Sequence, residues 1–204
     1  MQVLQILRRG LELQPMLMKA TRDSPEAGFL TGLDKLMLGV NPRTGKADYI
    51  LTVAKFVAFF GILPAAGHTV EAINLVSVIA TPANQMALLA QVNVTDAAAR
   101  FIVKGATDVI DSGMVDTEEG EEEGGNQEKK ARLALVNLLQ KCSAFPAPNL
   151  THFFMGFNLS KVANSNIKPP GGAAGAVRSP LHAMIACLQA GTEAGIDSFS
   201  FIER

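Results

Sequence analysis

Apolar positions along this chain recur at helical spacing, and nowhere do they alternate as in a strand. Leu4, Leu7, Leu11 and Met18 share one helix face, and Pro15 predicts a kink or break of that helix at Gln14. A second segment, 27–38, follows the start signal Ser24-Pro25-Glu26. In the third, Ile50, Val53, Val57 and Phe60 step by three and four residues. The fourth groups Ala72, Leu75, Val76 and Ile79 and ends at Thr81-Pro82, where a Thr cap and a proline at the first helical position open a fifth, through Leu89. The sixth runs from Asp96 with Ala98, Phe101, Ile102 and Val109 on one face.

Three later segments share one template, with apolar residues at i, i+3, i+4 and i+7. They are Leu135, Leu138, Leu139 and Cys142; then Leu150, Phe153, Phe154 and Phe157; then Leu181, Met184, Ile185 and Leu188, the last opened by Ser179-Pro180. About nine helices and no strand predict an all-α fold of stacked antiparallel helices. The templates start 15 and then 31 residues apart, which excludes a fixed repeat such as a tetratricopeptide or ankyrin array. The chain reads as a single helical segment over 1–204 with two interruptions. Residues 116–126 are acidic and contain Gly120, Gly124 and Gly125; residues 160–177 contain Lys168-Pro169-Pro170-Gly171-Gly172. Both predict extended surface loops.

Composition narrows the class. Of 204 residues, 48% are hydrophobic, 6% aromatic and 18% charged, which excludes wholesale disorder. Tyr49 is the single Tyr and Trp is absent, so aliphatic side chains must build the core. Cys142 and Cys187 are the only cysteines, too few for a disulfide scaffold. Six of the 19 acidic residues fall within 116–123, leaving 18 basic against 13 acidic residues elsewhere. That surplus is scattered and not interleaved with aromatics, so the footprint of a nucleic-acid binder is missing. Arg8, Arg9 and Glu12 interrupt any signal-peptide pattern. The stretch 50–66, broken by Lys55, Gly61 and Pro64, reads as a core helix rather than a membrane span.

Candidate chemistry is sparse. Gly39-Val40-Asn41-Pro42-Arg43-Thr44-Gly45-Lys46-Ala47 is near a phosphate loop, but five residues separate the glycines and Ala47 replaces the hydroxyl, so an interhelix turn is expected. Cys187 and His182 share a helix five residues apart, about 140° around it, too far for a direct nucleophile–base pair. His68 and His152 show no sequence-visible partner, Cys142 sits on an apolar face, and no zinc spacing occurs. The acidic run lacks the alternating ligands of a calcium loop. Sequons at Asn93, Asn149 and Asn158 are expected to be chance matches, and Met86, Met155 and Met184 to be core filler. No catalytic, cofactor or metal residue is expected.

Longer motifs carry a resemblance. Leu33 to Gly39 followed by Val40-Asn41-Pro42-Arg43-Thr44, with Lys46-Ala47-Asp48, resembles a segment of the very large inner-ring scaffold nucleoporins of the nuclear pore complex. The stretch His68 to Ser77, Glu128-Lys129-Lys130, Pro148-Asn149-Leu150 with Gly156-Phe157, and Ser179-Pro180-Leu181-His182-Ala183 follow in the same order, so the resemblance is collinear over about 30–195. It implies an irregular α-solenoid of HEAT- or armadillo-like helix pairs, no enzyme activity, and a structural role at the nuclear envelope with linker and adaptor nucleoporins as partners. Against a full-length member the chain is short, so a fragment or truncated paralogue is expected. The competing readings are a small all-helical Cys-dependent hydrolase using Cys187 or Cys142, recognisable by a depressed thiol pKa, and a cytosolic helical adaptor unrelated to the pore.

Overall fold

The structure, a computed structural model, describes residues 2–22, 32–39, 43, 45, 48–58, 67–112, 123–157, 159 and 178–194. Among them are nine α-helices and no strand: α1 (Gln2–Ala20), α2 (Leu33–Leu38), α3 (Tyr49–Ala58), α4 (Gly67–Ile79), α5 (Gln85–Val92), α6 (Asp96–Asp111), α7 (Glu123–Ser143), α8 (Leu150–Phe154) and α9 (Pro180–Ala194). Each helix from α1 to α6 packs on the one three places further along the chain. Three rows result: the long helices α1, α4 and α7; the short helices α2, α5 and α8; and α3, α6 and α9. Contacts of α3 with α4 and of α6 with α7 tie the outer rows together. The fold is an irregular α-solenoid whose unit is a helix triplet with a short middle member. The helix pairs expected from the resemblance appear mainly where one triplet meets the next, α3 on α4 and α6 on α7.

One continuous core runs through the stack. Ile50, Ile73, Leu75, Ile79, Leu88, Ile102, Ile110, Leu135, Leu138 and Leu150 are all essentially inaccessible to solvent. Within the third row, backbone meets backbone closely where α6 crosses α3. A Cβ placed on Gly105 would lie 2.1 Å from Ala58 Cα and 2.8 Å from the Val57 carbonyl oxygen, so the crossing admits only glycine. Local chemistry sets the helix ends. The Thr95 hydroxyl accepts from the Ala98 N–H and starts α6, and the Asn149 side chain accepts from the His152 N–H and starts α8. Gly156, at φ +81°, lies just beyond α8, which therefore ends at Phe154 and leaves Phe157 outside it.

Several expectations change. Helix α1 continues past Pro15, which is exposed, to Ala20; the helix does not end at Gln14. Between Thr81 and α5 stands a 3₁₀ turn, Pro82–Asn84, and the Thr81 side chain makes no cap hydrogen bond. The apolar template of α9 is only partly a buried face: Pro180 and Ala183 are buried and Met184 packs on the core, while Ile185 and Leu188 are exposed, because α9 packs mainly on α6. Of the acidic stretch, 123–126 forms the start of α7, and 116–122 lies outside the described residues. The start signal at 24–26 and the loop at 160–177 also lie outside them. Within 50–66, α3 buries Ile50, Val53, Ala54, Val57 and Ala58, and residues 59–66 are outside the described set. Among the described residues no single helix is long and apolar enough to cross a membrane.

Candidate interaction surfaces

The groups that could have carried chemistry are dispersed and occupied. Burial pushes the Cys142 thiol up to about 11, and Cys142 is fully enclosed. Burial also raises Cys187 on α9. Both shifts run opposite to the depression that a nucleophilic thiol needs, which speaks against the Cys hydrolase reading. The His182 ring is held at the first turn of α9, where its Nδ1 accepts from the Ser179 N–H at 3.0 Å and lies 2.9 Å from the Ser179 hydroxyl. His152 Nδ1 lies 2.7 Å from Asn149 Oδ1 on α8, and His68 on α4 stacks with Phe56 of α3 at 6.4 Å between ring centroids. No group of His, Cys, Asp or Glu among the described residues could hold a metal ion.

Other motifs resolve into structural roles. The phosphate-loop lookalike is preceded by α2, whose last turn is closed by the Gly39 N–H donating to the Leu36 carbonyl. Asn149 is fully buried, with its amide donating to the Phe145 carbonyl at 2.8 Å, so in the folded chain it cannot take a glycan. Asn93 is exposed after α5, and Asn158 lies outside the described residues. Met155 and Met184 pack against the core, whereas Met86 is exposed, contrary to its expected place as core filler.

Polar contacts within and between rows hold the stack in register. At the edge of α1, Gln14 accepts from the Leu33 N–H at 2.6 Å and donates to Asp34 at 2.8 Å; Asn84 donates to the other Asp34 oxygen at 3.0 Å and accepts from Lys35. Burial raises the Asp34 pKa, but the hydrogen bonds from Asn84 and Gln14, followed by the backbone N–H and charge of Lys35, outweigh it and hold the carboxyl below its ordinary value. Deeper, the buried Gln85 accepts from the Leu150 N–H at 3.0 Å, which joins α5 to α8. Arg8 of α1 pairs with Glu71 of α4 at 2.9 Å, Lys141 of α7 donates to the Ser77 carbonyl at 2.5 Å, and Arg178 pairs with Asp111 of α6.

A second apolar stripe, beyond the one read from the sequence, lies on α1. Val3, Ile6, Leu13, Met16 and Leu17 are all more than half exposed. Val3, Ile6, Gly10, Leu13 and Leu17 follow the same three-and-four spacing as the buried face of Leu4, Leu7 and Leu11. Both stripes were visible in the sequence; only one has a neighbour. Met18, assigned to the buried face, is partly exposed at 37%.

What these observations define is an all-helical stack of helix triplets, a helical solenoid. Over 199 residues, 93% of this chain, the sequence is 28% identical to human nuclear pore complex protein Nup205, and it spans a tenth of that relative's length. No protein-family profile matches the chain. The chain is therefore similar to one portion of a much longer nuclear pore protein.

Proposed function

We propose that this chain is a segment of the inner-ring scaffold of the nuclear pore complex, acting by position rather than by catalysis. The observation that carries the proposal is similarity to a nuclear pore protein along 93% of the chain. An all-helical three-row stack suits such a role, because rigid stacked helices hold attached partners at set distances. Its partners are linker and adaptor nucleoporins, bound as short amphipathic segments whose apolar anchors enter grooves between helices. It acts at the nuclear envelope and supports nucleocytoplasmic transport by framing the channel.

Fluorescent tagging of the protein in its own cells tests this, with a punctate nuclear-rim signal expected. Co-purification from nuclear envelopes should recover other nucleoporins. A diffuse cytosolic signal, together with recovery of no pore component, would replace this reading by that of an adaptor unrelated to the pore.

A further inference from the structure

Helix α2 depends on its neighbours for its shape. Six residues are too few for a helix to hold itself in water, because a whole turn must be fixed before the first hydrogen bond forms. Its N-cap is Gly32, which has no side chain to offer, and Gln14 of α1 fills that place, accepting from the Leu33 N–H at 2.6 Å and from the Asp34 N–H at 3.4 Å. A Cβ on Gly32 would lie 2.8 Å from Gln14 Nε2, so the absent side chain is what admits the glutamine. At the other end Gly39 closes the last turn on Leu36, and the Leu38 carbonyl accepts from Gln91 of α5 at 3.2 Å. Between the two ends, Asp34 and Lys35 both bind the buried Asn84, itself held by the Ile79 carbonyl at 3.1 Å. Helix α8, at five residues, starts instead from its own Asn149 side chain.

We infer that α2 is a strap, held helical from outside by α1 and by the second triplet, that opens as a unit while the stack around it stays folded. Its buried side chains are Met37 and Leu38, so opening uncovers little apolar surface. Helix α4, by contrast, buries Thr69, Ala72, Ile73, Leu75, Val76 and Ile79, and leaves the stack only when the core comes apart. The bonds that fasten the strap come from Gln14, Asn84 and Gln91, and on opening each passes to water at small net cost. Gln14 belongs to α1, whereas Asn84 and Gln91 belong to the 3₁₀ turn and to α5. A shift of α1 against α5 therefore withdraws bonds from one end of the strap, which ties the order of these six residues to the spacing of the two helices. This device rests on the fold alone and stands apart from the pore reading.

Amide hydrogen exchange of the full chain, read residue by residue by NMR, tests the inference. Protection of the Met37 and Leu38 amides should lie at least about a hundredfold below that of Leu75 and Val76 in α4, and should respond only weakly to denaturant. Gln14→Ala and Gln91→Ala should each lower α2 protection about threefold, and the double substitution about tenfold, since both act on one closed state. Ile73→Val, which weakens the core without touching the strap, should lower protection in α4 and leave α2 as in the parent. Equal protection in α2 and α4, a fall in α2 protection with Ile73→Val, or α2 amides indifferent to both glutamine substitutions overturns the inference.

Discussion

Helices α1 and α4 lie side by side in one row, both rich in aliphatic residues, and they differ in what their neighbours do with that surface. Helix α4 buries Thr69, Ala72, Ile73, Leu75, Val76 and Ile79, on more than one side, because α1, α3 and α7 all pack on it. Helix α1, six residues longer with 19 residues against 13, buries only Leu4 and Leu11 completely. A helix that is apolar around much of its circumference is a core element where neighbours cover it and leaves large apolar side chains exposed where they do not. Place in the row, more than composition, decides which.

The widest gap between interior and edge should appear when the same residue type is truncated in each. Ile73→Ala in α4 should cost about 2–5 kcal/mol by denaturant unfolding, the range for emptying an enclosed site. At the α3–α6 crossing, Gly105→Ala forces backbone apart from backbone and should cost about 3 kcal/mol, the upper part of the overpacking range, seen as a lowered midpoint at unchanged slope. Polar seams give a finer contrast. Gln85→Ala strands the buried Leu150 N–H and should cost about 1–3 kcal/mol, whereas Gln14→Ala at the edge lets water reach Leu33 and should cost less than about 1 kcal/mol. If the two glutamines proved equal, the edge seam would be as enclosed as the interior one.

Acid should loosen the edge by a smaller amount. The Asp34 carboxyl has a folded-state pKa below its unfolded value, so its contribution is present above about pH 4 and is lost as pH falls through the folded pKa. Asp34→Asn should flatten that part of the stability–pH profile, by under about 1 kcal/mol because the group is only partly enclosed. Smallest of all, Ile6→Ala in α1, measured in dilute solution, should stay within about 0.5 kcal/mol of the parent. A loss near that of Ile73→Ala would mean that Ile6 is covered in solution.

Much of the fold was legible from spacing. The template Leu135, Leu138, Leu139 and Cys142 is wholly buried on α7, and Ile50, Val53 and Val57 on α3 behave alike. These helices have neighbours on the side that the pattern marks. The same template misreads α9, where Ile185 and Leu188 are exposed, and α8, which ends before Phe157 at a glycine turn. Chemistry was legible mainly by exclusion: the thiols are shifted upward by burial, which local sequence does not report, while the angle between Cys187 and His182 already spoke against their pairing.

By itself the sequence determined that the chain is all-helical, where most helices lie, and that two apolar stripes run along α1. Those properties follow from 3.6-residue periodicity and turn chemistry, which act within a few residues of one another. Only the tertiary structure decided that the helices form triplets in three rows, and which α1 stripe is core. The row α1, α4, α7 begins at Gln2, Gly67 and Glu123, unevenly spaced, and is held by contacts such as Arg8 with Glu71 and Lys141 with Ser77 across more than sixty residues. A local pattern records that a face is apolar; it does not record which distant helix comes to cover it.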